Sequence, residues 1–246
     1  MHKKYLILAL SVLFIFSSCS TNDEVELISS PNPSALNKIL PLGASRVEGA
    51  RPNFESYRYE LWKQLVDSNY SFDFIGSTID DASYPSHANQ SFDRDHSGYG
   101  GFTSGQILSN LNQWLNQSGT PDVVLLSSPG GNDALLNLSY TQAVSNINAI
   151  VDVLQERNPN MTIIIEQIAP GRSSIMTSTL TNYMLQMQQE AINIAATKST
   201  ATSRVLTVNM FNGFNDTHLA DDVHYNENGA TLIASRYFTV LQNVLQ

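Results

Sequence analysis

Three residues of this chain have the types and spacing that covalent acyl transfer requires. Ser45 closes the word Gly43-Ala44-Ser45, directly after an apolar run. Asp221 and His224 stand three residues apart in Asp221-Asp222-Val223-His224. A free serine hydroxyl is a poor nucleophile and needs a neighbouring base. Neutral imidazole accepts a proton near pH 7, so His224 is the candidate base. On a tight turn or short helix, side chains three apart share a face. Asp221 can therefore hold Nδ1–H of His224 and leave Nε2 facing Ser45, the division of roles in a Ser-His-Asp triad. Singly, such a serine more often caps a helix and such a histidine is more often structural. Their joint placement carries the reading.

Two further words offer donors for an oxyanion. Asn132 follows two glycines in Gly130-Gly131-Asn132-Asp133, and Gly101 ends Gly98-Tyr99-Gly100-Gly101. A side-chain amide at Asn132, a bare backbone N–H at Gly101 and the N–H of Ser45 make a set of three. Each such donor typically contributes about 3 kcal/mol to the barrier reduction. Both words are also good turn sequences. Arg46 can face an anionic substrate or pair with Glu48, and the pairing is the expectation. His96 is expected to be structural. Asp216, Asp221 and Asp222 cluster as loop carboxylates, which suits Ca²⁺ better than Zn²⁺. The catalytic reading itself calls for no metal and no cofactor.

The positioning elements follow from periodicity. Five strand-like runs cover residues 38–42, 72–76, 122–127, 161–166 and 204–209. Val123-Val124-Leu125-Leu126 and Thr162-Ile163-Ile164-Ile165 are continuous apolar runs, as in strands buried on both faces. Helical stripes alternate with them: Ile107, Leu111 and Trp114; Ile147, Val151 and Leu154; Met184, Met187 and Ala191; Ile233, Tyr237 and Leu241, with Asn226 as N-cap. A further helix is read over 54–66, with Pro52 near its first turn. This alternation predicts a parallel sheet with helices on both faces. Ser45, Asn132 and the Asp221–His224 pair then all follow strand ends, where open α/β sheets bind ligands. The connection 77–103 shows no periodicity and is expected to wall the cleft.

Composition sets bounds. A chain of 246 residues, 42 % of them apolar, suits one ordinary domain. A formal charge of −9 lacks the basic stripe of a nucleic-acid binder. The N-terminus reads as a targeting segment. Lys3 and Lys4 precede an apolar run to Phe16, and Ser17-Ser18-Cys19 follows with the only cysteine. Residues 1–18 are expected to be a lipoprotein signal peptide, Cys19 the lipidation site, 19–35 a flexible tether and 36–246 the domain. Phe16 departs from the usual Leu, and an ordinary secretory signal is the alternative. The expected location is lipid-anchored at a bacterial outer membrane or cell surface, with the bilayer as a partner.

Together these words resemble the blocks of the SGNH (GDSL) hydrolase superfamily. Ser45 falls on its nucleophile, Gly101 and Asn132 on its oxyanion positions, and Asp221 and His224 on its final Asp-x-x-His. The second and last blocks most resemble carbohydrate esterase family three, whose members remove acetyl groups from plant polysaccharides such as xylan. The resemblance implies a flavodoxin-like three-layer α/β/α sandwich with a five-stranded parallel sheet. It also implies metal-independent hydrolysis of an acetylated glycan or another small ester. The family's Gly-Asp-Ser is Gly-Ala-Ser here, so Ala44 removes a carboxylate that could order the loop. A lipase, lysophospholipase or thioesterase on the same triad is the nearest alternative. A non-catalytic glycan-binding lipoprotein is the alternative outside enzymes.

Overall fold

The computed structural model describes residues 37–246; the signal-like segment, Cys19 and the tether lie outside the described residues. The strands are β1 (Asn37–Gly43), β2 (Phe72–Phe74), β3 (Thr78–Ile79), β4 (Asp95–Gly98), β5 (Val123–Leu126), β6 (Thr162–Gln167) and β7 (Arg204–Asn209). The helices are α1 (Ser45–Glu48), α2 (Arg58–Asp67), α3 (Ser104–Ser118), α4 (Gly131–Leu135), α5 (Tyr140–Arg157), α6 (Ser178–Lys198) and α7 (Glu227–Leu241).

The sheet runs β3-β4-β1-β5-β6-β7. Short β2 pairs with the first half of β1, at Asn37–Ile39, and β4 with its end, at Leu42 and Gly43. The two therefore share one edge of β1, and the expected five parallel positions are filled. Only β3 runs antiparallel, against β4.

Alternation along the strands builds the three layers. Ile39, Val123, Leu125 and Ile164 point to one face and pack with Leu61 and Leu65 of α2 and Ile233 and Tyr237 of α7. Leu40, Leu42, Val124, Leu126, Ile163 and Ile165 point to the other and pack with α3, α5 and α6. Helix starts are fixed by side chains: Thr103, Ser139, Thr177 and Asn226 each accept a first-turn N–H. Each such cap typically contributes about 1 kcal/mol.

Two sequence expectations need correction. The 77–103 connection contains β3 and β4 rather than an aperiodic loop. Its strand β4, Asp-His-Ser-Gly, is wholly buried without one large apolar side chain, so no hydrophobic period announced it. The helix read over 54–66 starts only at Arg58. Pro52 lies well before it, and Phe54 is paired across a turn with Ala50.

Candidate active site

Ser45 is placed by a tight exit from β1. A Cβ on Gly43 would lie 2.8 Å from Val47 Cγ2 and 2.9 Å from Ser127 O, so only glycine passes there without displacement. The chain then turns into α1, and Ser45 is its first residue. An N–H at that position has no intrahelical acceptor and is available to a ligand. The other end of the same turn is fastened by Arg58. Its Nε donates to Val47 O at 2.7 Å and its Nη2 to Glu48 O at 2.9 Å. The guanidinium is fully buried and its charge is met by Asp80 at 2.6 Å.

The histidine comes from the loop before α7. Its Nδ1 lies 2.7 Å from Asp221 Oδ2 and its Nε2 lies 2.9 Å from Ser45 Oγ. Asp221 also makes the turn, since its Oδ1 accepts the N–H groups of Val223 at 2.9 Å and His224 at 2.8 Å. Partial burial alone would raise the Asp221 carboxyl. The hydrogen bonds from His224 and the two backbone N–H groups outweigh it and hold the pKa at about 2. The carboxylate is thus ionised, and with Nδ1–H donated to it, Nε2 is left to accept the serine proton. Phe54 completes the mounting by stacking on the imidazole, with centroids 3.8 Å apart and planes 13° apart. The sequence pattern puts Phe54 at a helix start and gives no sign of this contact.

Asn132 sits in the first turn of α4, entered through Gly130 at φ 74°. Its Nδ2 donates to Phe102 O at 2.8 Å, which leaves the second amide proton free. Next to it, buried Asp133 accepts from Ser104 N and Oγ, each at 2.8 Å. These bonds tie α4 to the start of α3 and to the Gly98–Gly101 turn. Gly101 has φ 76°, a conformation glycine adopts without penalty, and the turn closes with Phe102 N to Tyr99 O at 3.1 Å. Glu48 accepts the Gly100 N–H, which opposes the rise in its pKa that burial causes. Ser45, Asn132, Leu135, Ile168, Met184 and Val223 help to line one cleft. Gly101 is not part of that lining; it stands one residue from the carbonyl that Asn132 holds.

The sequence profile of the GDSL-like lipase/acylhydrolase family matches residues 43–232. The chain belongs to this family. Among solved structures, the chain is similar to a carbohydrate esterase family 3 protein from Talaromyces cellulolyticus. That match has 25 % identity and a TM-score of 0.71, over 85 % of this chain and 97 % of that one. A family 3 carbohydrate esterase from Clostridium thermocellum matches at 30 % identity and TM-score 0.68, over 85 % and 99 % of the two chains. A lipase/acylhydrolase from Enterococcus faecalis shares the fold at 15 % identity and TM-score 0.61, over 85 % and 97 %. Curated protein sequences give no match.

Arg46 does not pair with Glu48, contrary to expectation. Its guanidinium turns inward, donating to Val223 O at 2.8 Å, Ala169 O at 2.9 Å and Pro170 O at 3.2 Å. It also lies over the Tyr225 ring, 4.8 Å from the centroid. One buried side chain thus joins the Ser45 helix, the chain after β6 and the residue before His224. Ala44 offers no polar side chain for this task, and Arg46 supplies one. Arg172 holds the same loop from outside, donating from Nε to Asp221 O at 3.1 Å. Arg46→Ala is expected to lower kcat about 100-fold, because misplacing reacting groups by about 1 Å costs that much, with a smaller change in KM. Arg46→Lys should not restore it, since one ammonium lacks the planar fork. Steady-state kinetics of both variants checks this.

The remaining candidates fall outside the reacting set. Asp216 accepts from Ser173 N at 2.8 Å and Oγ at 2.6 Å rather than joining Asp221 and Asp222. Among the described residues no three His, Cys, Asp or Glu side chains gather as a metal-ligating group. His96 is buried, and burial pushes its pKa well below the usual imidazole value. Its neutral Nδ1 accepts the Gly98 N–H at 3.0 Å, so it supports the glycine turn. Glu166, unnoticed in the sequence, is fully buried. It accepts from Ser127 Oγ at 2.8 Å, Ser128 N at 2.7 Å and Tyr237 Oη at 2.8 Å, which fixes the approach to Asn132.

Proposed function

We propose that this protein is a serine esterase that removes acetyl groups from a carbohydrate through an acyl-Ser45 intermediate. The supporting observation is the unbroken relay from Asp221 to His224 at 2.7 Å and from His224 to Ser45 at 2.9 Å. His224 Nε2 takes the Ser45 proton as Oγ attacks the carbonyl carbon. The N–H groups of Ser45 and Gly101 and the Asn132 amide hold the resulting oxyanion. His224 returns the proton to the departing alcohol oxygen. It then deprotonates a water that attacks the acyl-serine, and the acid leaves as Ser45 is restored.

The acetyl group is favoured on size. The cleft beside Ser45 is small, about 40 Å³, against about 400 Å³ for the groove on the far side of Leu135. The likeness to two family 3 carbohydrate esterases supports the sugar. A second reading, longer acyl esters, is favoured by the apolar rim after Asn132, where Leu135, Leu136 and Leu138 are 41 %, 60 % and 47 % exposed.

Acetylated xylan, other acetylated glycans and p-nitrophenyl acetate and octanoate, assayed with wild type and Ser45→Ala, separate these readings. Acetate release from a glycan by wild type alone is the expected result; turnover confined to octanoate rejects it. Asn132→Ala is expected to lower kcat about 10²–10³-fold on the best substrate, as for one oxyanion donor, measured under saturating conditions.

On this reading the enzyme works at a lipid bilayer, anchored through Cys19 ahead of a domain spanning 36–246. The run Phe16-Ser17-Ser18-Cys19 supports the anchor. Membrane fractionation of wild type and Cys19→Ser tests it.

A further inference from the structure

We propose that Leu135 is the wall that limits the acyl pocket to short acyl groups, a claim that rests on the esterase reading above. Leu135 lines two spaces at once. On one side is the small cleft with Ser45, Asn132, Ile168 and Met184. On the other is a groove of about 400 Å³ lined by Leu135, Ile175, Leu180 and Tyr183 among others. Both spaces lie between α4 and α6: Met184 borders the cleft, and Leu180, one helical turn earlier, borders the groove. Leu135 is the one residue that lines both spaces.

That side chain is held in register with the chemistry. Leu135 is the last residue of α4, the helix that carries Asn132. Leu136 N donates to Asn132 O at 3.0 Å, and Leu138 N donates to Asp133 O at 2.8 Å. The wall and the amide thus move as one turn. A chain longer than acetyl extends from the carbonyl out of the small cleft beside Ser45. It then meets Leu135, with the apolar groove behind it. Because 41 % of Leu135 is solvent-exposed, shortening it opens a passage without emptying the core.

The test compares kcat/KM for p-nitrophenyl hexanoate and p-nitrophenyl acetate, so the leaving group cancels. Wild type is expected to prefer acetate. In Leu135→Ala the hexanoate-to-acetate ratio is expected to rise about 10- to 100-fold, the scale of discrimination in apolar pockets. Adding Leu180→Trp to that variant refills the groove and should reverse most of the gain. Leu135→Val should show a smaller rise. An unchanged ratio in Leu135→Ala with its melting temperature preserved overturns the wall. So does a wild-type preference for hexanoate, or loss of acetate turnover in folded Leu135→Ala and Leu135→Val, which would make the residue a support instead. Failure of wild type to hydrolyse any ester is a different result: it removes the esterase reading, and the wall with it.

Discussion

Ser45→Ala is expected to reduce kcat about a millionfold on any ester the wild type hydrolyses, the scale seen when a triad nucleophile is deleted. The reason is specific to this site. The Ser45 hydroxyl has one partner among the described residues, His224 Nε2, and carries no structural bond. Its backbone turn is held independently, by Gly43 packing and by Arg58 on the Val47 and Glu48 carbonyls. The variant should therefore keep its melting temperature and still bind substrate, and only turnover should vanish. Calorimetry and kinetics on one preparation check both halves. A large fall in stability would mean that the hydroxyl supports the fold as well.

Asp221→Asn is expected to cost about 10⁴-fold in kcat, as when a triad carboxylate becomes an amide. Asparagine can still accept the Val223 and His224 N–H groups through one oxygen, so the turn survives. Its amide nitrogen then faces Nδ1, which favours the tautomer with the proton on Nε2. That imidazole cannot accept from Ser45. The wild-type pH profile follows from the same contacts. With Asp221 held at about 2, its charge is constant across working pH. The sign for stability agrees: a depressed folded pKa favours folding above the unfolded carboxyl value, and the benefit is lost as pH falls toward about 2. Loss of this stabilisation already between pH 5 and 7, read as the melting difference between wild type and Asp221→Asn, would contradict this.

The sequence was readable where local chemistry sets local structure. Val123–Leu126 is apolar at every position because both sheet faces are covered, and that pattern needs no tertiary information. Asn226 signals its helix by capping it. The meeting of Asp221, His224 and Ser45 was legible because Asp221 and His224 lie within one turn and Ser45 follows a strand. Arg46 was misread because its acceptors are backbone carbonyls at Val223, Ala169 and Pro170, which any sequence would provide. Strand β4 was missed because its residues are buried although polar: Ser97 Oγ accepts from Ser77 N at 3.1 Å and His96 Nδ1 from Gly98 N at 3.0 Å. Phe54 was assigned to a helix because an aromatic beside a helical stripe looks like its continuation. Leu135 carries no periodic signal; its place between two spaces exists only once α4 and α6 are packed.

On the esterase reading His224 makes Ser45 nucleophilic. A fluorophosphonate tests it directly, because it captures an activated serine without requiring knowledge of the natural substrate. Intact mass and peptide mapping should locate one adduct on Ser45 in wild type at pH 7, none in Ser45→Ala, and labelling slowed by orders of magnitude in His224→Ala. An adduct at another residue, or equal labelling rates with and without the imidazole, would contradict the account.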